Sequence, residues 1–278
     1  MLHARRILAV ACIVSAMCFA SSLRAGADAA GDNSGRHPVL SSEQMTFLSG
    51  LAEDVVESSR VRPGEKAGGR GPNTSGGVLI RPGGRNAYPA FWIRDYAMSL
   101  PSNMIPASEQ KHMLLLTARS QQDSDWITES GSRVPRGSIP DRITFKDALP
   151  YFFPGPHPSW EAQGGRWGKL PALDDHFFFV HMAAEYVRTT GDTSILARQV
   201  DGIELIDRLE LAFSVPPSNP DTSLVSISAK NRGVGFGFMD TVYMTGDLLF
   251  CSLLKRRAAL DLAVFHTRLG NGQRADTY

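Results

Sequence analysis

The chain has 278 residues, 42% of them hydrophobic and 21% charged, with a formal net charge of +1. That is the composition of a globular protein with a sizeable core. Its only basic run is the short Lys255-Arg256-Arg257, so the electrostatic footprint of a nucleic-acid binder is missing.

The first 27 residues read as a secretory signal peptide. MLHARR is a basic start, the apolar run from Ile7 to Ala20 is too short to span a bilayer, and Ala25-Gly26-Ala27 offers small residues for cleavage. The expectation is an exported protein, periplasmic or extracellular, with no membrane attachment after cleavage. A flexible segment over 28–40 and one domain over 41–278 should follow. Cys12 and Cys18 leave with the signal, and Cys251, inside LLFCSLL, reads as a buried structural thiol.

A helix is expected from Ser41 or Ser42, with Met45, Leu48, Leu51, Ala52 and Val55 as its apolar stripe. A Gly-rich loop holding the sequon Asn73-Thr74-Ser75 comes next, then a short strand in VLIRPGG. In YPAFWIRDYAMSLP, Arg94 and Asp95 stand side by side after three aromatics and before a helix. Such a pair either caps that helix or floors a polar site. The long stretch from Gln121 to Pro171 has little helical periodicity, and long irregular stretches in compact domains are usually functional. It carries Trp126, Trp160 and Trp167, flat indoles that suit either a sugar face or a plug against the core.

DDHFFFVHMAAEYVRTT is apolar nearly all round, the mark of a helix buried on most sides. Gly191 ends it and Asp192 opens a second helix carrying Leu196, Val200, Ile203, Ile206, Leu209 and Phe213 at spacings of three and four. After the loop NRGVGFGFMDTVYMTG, a long helix runs to Gly270 or Gly272. Polar, aromatic loops leading into buried helices are what an α/α toroid requires, so the fold class expected is all-α.

These segments resemble the six-hairpin glycosidases, the superfamily of glucoamylase-like sugar hydrolases, over roughly Ser41 to Gly270. FWIRDYAMSL looks like that family's Trp-x-Arg-Asp entry to an inner helix, and EYVRTTGD is similar to its Thr-Gly-Asp hairpin turn. GFGFMDTVYMTGDLLFCSLLKRRAALDLA is similar to the stretch carrying its general acid. The resemblance implies that Trp92, Arg94 and Asp95 bind the non-reducing-end sugar and that Asp240 is the catalytic acid. Beside the resemblance, Trp126, Trp160 and Trp167 are candidate sugar platforms, and Asp174 and Asp175 read as caps at the entry of their helix, with a loop-side carboxylate to contact sugar. Where the family usually has Glu beside a second carboxylate, this chain has Asp240 beside Met239, and no residue matches the family's catalytic base. Six hairpins need well over ~350 residues at ordinary helix and loop lengths. The expectation is therefore an incomplete toroid, with a partner chain as one way of completing it.

The function expected is glycoside hydrolysis of an oligo- or polysaccharide by carboxylate acid/base catalysis, with no cofactor and no metal. The alternative is a truncated, non-catalytic carbohydrate-binding relative. A remote alternative reads Asp174-Asp175 as the aspartate-rich magnesium motif of class I terpene cyclases, for which no second ligand set is seen downstream. The histidines lack zinc-ligand spacing, and GVGFGF is a poor phosphate loop.

Overall fold

The computed structural model describes residues 39–67, 71–83, 88–127, 133–152, 170–228 and 245–278. The proposed signal peptide, Asp240, Trp160 and Trp167 lie outside them. Among the described residues there are seven α-helices and five small sheets. Helices make up close to half of that material, and the strands are two or three residues long.

Helix α1 (Ser42–Ser59) begins at a reciprocal cap. Ser41 Oγ accepts the Gln44 amide at 3.2 Å and Gln44 Oε1 accepts the Ser41 amide at 2.8 Å, so two otherwise unpaired amides are satisfied. Strands β1 (Arg60–Val61) and β2 (Leu79–Ile80) pair antiparallel, which places the strand expected in VLIRPGG. Between them Asn73 is buried and its side-chain nitrogen donates to the carbonyls of Val61 and Gly77, both at 2.8 Å. The sequon asparagine is thus a loop staple whose nitrogen is already in use.

Strand β3 (Ala90–Trp92) runs straight into helix α2 (Ile93–Ser99), and helix α3 (Ala107–Arg119) follows. The described residues after it carry short strands. Strands β4 (Trp126–Ile127) and β5 (Arg133–Val134) form a ribbon, while β6 (Arg142–Thr144) and β7 (Pro150–Tyr151) join β3 in an antiparallel sheet of order β3-β6-β7.

Helix α4 (Asp174–Thr190) is the centre of the molecule. It packs against α2, α3, α5 (Leu205–Ser214) and α6 (Leu249–Arg268). Its sequence accounts for this position, because Phe177, Phe178, Phe179, Val180, Met182, Ala183, Tyr186 and Val187 cover its circumference and all are buried. Gly191 closes it in the left-handed region at φ 72°, its amide bonded to the Val187 carbonyl at 2.8 Å.

The second arm of this hairpin is shorter than the spacing suggested. A 3-10 turn (Thr193–Ala197) and the ribbon of β8 (Gln199–Val200) and β9 (Ile203–Glu204) come first, and α5 begins only at Leu205. The cause is Asp201-Gly202, at φ 47° and 79°, a two-residue turn with both central residues left-handed. Strands β10 (Ser226–Ile227) and β11 (Gly246–Asp247) pair ahead of α6. Helix α6 ends before Gly270 at φ 79°, and α7 (Gly272–Ala275) is a final turn. Among the described residues, helices form the core, as the all-α expectation has it, and short two- or three-residue strands lie in the connections.

Candidate functional site

The junction of β3 and α2 sets the site. Strand β3 is held in register by β6, and the Ile93 amide continues that pairing to the Asp141 carbonyl at 3.1 Å. Alternation then separates the side chains. Phe91 and Ile143 go into the core, while Trp92, Arg142 and Tyr151, opposite one another on β3, β6 and β7, form a row that is only partly covered. The Arg142 guanidinium carbon lies 3.8 Å from the centre of the Tyr151 ring and 5.1 Å from that of Trp92. Tyr88 meets Trp92 edge to face at 5.0 Å. Cation–π contact and ring packing hold this row together.

Beneath it lies a buried ion cluster. Arg94 is 3% exposed, and its Nε and Nη2 donate to the two Asp174 oxygens at 2.6 and 3.2 Å. Nη2 also reaches Asp175 Oδ2 at 3.1 Å, and both terminal nitrogens approach Asp141 Oδ1 at 3.4 Å. Asp141 in turn accepts from Arg142 at 3.1 Å, which ties the cluster to the aromatic row. Asp174 and Asp175 are the first two residues of α4 and are fully buried. They do not cap that helix; their carboxylates turn to Arg94 instead. A buried guanidinium suits this role because its planar fork can serve several carboxylates at once.

Charge in the cluster is unbalanced. Asp95, Asp141, Asp174 and Asp175 surround the two guanidinium groups of Arg94 and Arg142. Burial works against the Arg94 charge, but Asp174, Asp175 and Asp141 outweigh it and keep the group protonated. Burial pushes the Asp141 and Asp175 carboxyls up, with Arg94 opposing it in both cases. Asp175 Oδ1 has no hydrogen-bond partner among the described residues.

Asp95 is the exception within the group. It lies in the first turn of α2 and is only partly buried, with no side-chain bond to Arg94. Burial raises its carboxyl to about 6, with Asp141 and Asp174 adding to the effect and Arg94 opposing it. Helix α2 begins at Ile93, so Asp95 does not cap it. Three of the carboxyls are therefore fixed internally, and the fourth, Asp95, is part-exposed beside them and able to exchange a proton near neutral pH.

His176, next along α4, is buried and neutral, since burial lowers it to about 4. Its Nδ1 lies 3.2 Å from the Leu173 carbonyl and donates to it. Cys251, in the first turn of α6, is buried, and burial pushes its thiol up, as expected of a structural cysteine.

The structure therefore brings together Trp92, Arg94, Asp95, Asp174 and Asp175 from the sequence expectation. Trp126 stands on the separate β4–β5 ribbon and is 38% exposed. Asp141, Arg142 and Tyr151 were missed. The first two carry the same signal as Arg94-Asp95, adjacent opposite charges between apolar residues in IPDRIT. Comparison with protein-family models and with curated proteins finds no match.

Proposed function

We propose that the chain is an exported, carbohydrate-active protein built on an α/α toroid of helical hairpins, and that it hydrolyses glycosidic bonds. The observation that carries this reading is the part-exposed Asp95 carboxyl, raised to about 6, set between a buried Arg94–aspartate cluster and the Trp92–Arg142–Tyr151 row. A carboxylate at an opening accepts from vicinal hydroxyls, and a flat aromatic edge covers the apolar face of a sugar ring. The likeness of FWIRDY, EYVRTTGD and GFGFMD to the six-hairpin glycosidases points the same way.

In this reading Asp95 and Trp92 meet the sugar. Arg94, Asp174 and Asp175 act one layer below, fixing the floor. Asp240 donates the proton to the leaving oxygen, which requires a carboxyl held protonated by an apolar setting such as its neighbours Phe236, Phe238 and Met239.

A second reading, a non-catalytic carbohydrate-binding protein, is favoured by one feature. The polar atoms of Arg94 and Asp174 are engaged with each other rather than presented outward. The terpene cyclase reading is disfavoured, because Asp174 and Asp175 already face the Arg94 cation where a magnesium ion would have to sit. The test of the hydrolase is reducing-sugar release from α- and β-linked oligosaccharides by the wild type beside Asp240→Asn. Turnover abolished in the variant supports it, and a folded wild type that releases nothing from any substrate contradicts it.

A further inference from the structure

Asn73-Thr74-Ser75 is the only Asn-x-Ser/Thr triplet with x other than proline in the 278 residues. Such a triplet is the acceptor of N-linked glycosylation and ordinarily lies on a surface loop, because the glycan is bulky and needs solvent. Here the asparagine is 2% exposed. Both hydrogens of Asn73 Nδ2 are committed, to the Val61 and Gly77 carbonyls at 2.8 Å. Its Oδ1 accepts from the Ser75 amide at 3.0 Å and from Ser75 Oγ at 2.8 Å. Two donors and two lone pairs are all the amide group has, so the side chain is saturated. The main chain is engaged as well, since the Asn73 amide donates to the Glu65 carbonyl at 2.9 Å and the Asn73 carbonyl accepts from the Gly64 amide at 2.8 Å.

A glycan on Nδ2 would undo this arrangement. The bond to the first sugar replaces one of the two hydrogens, so either Val61 or Gly77 loses its donor, and a lost buried hydrogen bond is costly. The sugar would also have to enter the covered space between β1 and β2, where Val61 pairs with Leu79 and both are fully buried. Before folding the same nitrogen is free of these constraints. The loop is held from far along the chain, because the Thr74 amide donates to the Phe145 carbonyl at 2.9 Å and Thr74 Oγ1 to the Lys146 carbonyl at 2.8 Å. Phe145 stands 71 positions after Thr74. At about 5–20 residues per second that stretch takes roughly 4–14 s to synthesise.

We propose that Asn73 is a glycan acceptor of the unfolded chain alone, and that its modification and the closure of the β1–β2 loop exclude each other. In the open chain Nδ2 attacks C1 of a lipid-diphosphate-linked oligosaccharide. The N–C1 bond forms, the bond from C1 to the diphosphate oxygen breaks, the lipid diphosphate leaves with the electron pair, and one amide proton is released. A chain modified in this way is barred from closing the loop, and a closed loop hides the acceptor. The inference rests on this loop and not on the carbohydrate-active reading.

The test is translation of the full chain, behind a signal sequence that microsomes import, into endoplasmic-reticulum microsomes, which supply both the donor and the transferase. Limited proteolysis then divides the imported chain into resistant and sensitive fractions. The sensitive fraction is expected to carry the mass of one glycan, removable by peptide N-glycosidase, and the resistant fraction to carry none. Gly77→Ala, whose added methyl meets the His112 ring and hinders closure, should shift the imported chain toward the glycosylated form. Asn73→Gln should show no glycan in either fraction. A resistant fraction that carries a glycan on Asn73 overturns the mutual exclusion. A glycan absent from both fractions of the wild type and of Gly77→Ala overturns the acceptor.

Discussion

Arg94 grips Asp174 in a two-point fork, Nε to Oδ2 at 2.6 Å and Nη2 to Oδ1 at 3.2 Å, across 80 positions of sequence. The contact ties the entry of α2 to the entry of the central helix α4. It also fixes what the site can do. A guanidinium so engaged cannot be offered freely to a ligand.

Removal of the Arg94 charge should be severe. Arg94→Leu leaves Asp141, Asp174 and Asp175 buried without their shared cation, and breaking a buried ion pair from one side costs about 3–5 kcal/mol. Urea unfolding at pH 7 should show a loss of that size. The deficit should shrink at pH 5, because the carboxylates left behind take up protons more readily. Arg94→Lys should recover only part of the stability, since an ammonium lacks the planar fork.

Asp95 should behave in the opposite sense. Its carboxyl is raised to about 6 in the fold, whereas an unfolded Asp titrates near ~3.9. The native state therefore binds the extra proton, and the stability linked to this group is fully present below pH 4. It is lost as pH rises to 6 and is constant above that. Asp95→Asn should accordingly raise stability at pH 7.5 by about 2 kcal/mol and change little at pH 4. A paired series of urea titrations at the two pH values checks this. A stabilised variant that loses function is the pattern of a functional group held at a cost to the fold.

A third prediction concerns the far end of α5. Glu210 accepts from His266 Nε2 at 2.7 Å, from Arg274 at 2.7 and 2.8 Å, and from the Tyr278 hydroxyl at 3.0 Å. Burial opposes its charge, but the bonds from Arg274, Tyr278 and His266 prevail and hold the carboxyl below its usual range. A lowered carboxyl contributes stability that is present above the unfolded value of ~4.3 and lost as pH falls through the folded one. Glu210→Gln should cost about 1–2 kcal/mol at pH 7 and speed amide exchange over residues 272–278, with the difference from wild type vanishing in acid.

Glycine at 77 is required by packing. A β-carbon there would lie 2.4 Å from the His112 ring, whose Nε2 is 3.1 Å from Ser75 Oγ. Gly77→Ala must displace His112 and should lower stability by about 1–3 kcal/mol. The double variant Gly77→Ala/His112→Ala should recover much of that loss, and thermal unfolding of the two measures the difference.

What the sequence made readable followed from local physics. Helix α4 could be read because apolar residues occupy its whole circumference, and α1 because a serine cap precedes an apolar stripe at helical spacing. The ribbon that shortens the second arm was also in view, since Val200-Asp201-Gly202-Ile203 carries a strong two-residue turn signal. The helical spacing of Leu196, Val200 and Ile203 concealed it. Strands β3, β6 and β7 were not legible, as two or three residues carry too little alternation to stand out. The same holds for the partners of Arg94. Asp141, Asp174 and Asp175 lie 47, 80 and 81 positions away, and only tertiary packing brings them to one guanidinium. Sequence therefore singled out Arg94 and Asp95 but gave no sign of the three aspartates that surround Arg94.

The most direct measurement is titration calorimetry of α- and β-linked oligosaccharides into the wild type and Asp95→Asn at pH 7, with the stability of both recorded alongside. The account predicts that at least one oligosaccharide binds the wild type and binds Asp95→Asn at least about tenfold more weakly, roughly 1.4 kcal/mol, while the variant is no less stable. A wild type that binds none of them, or a variant that binds equally well, contradicts it.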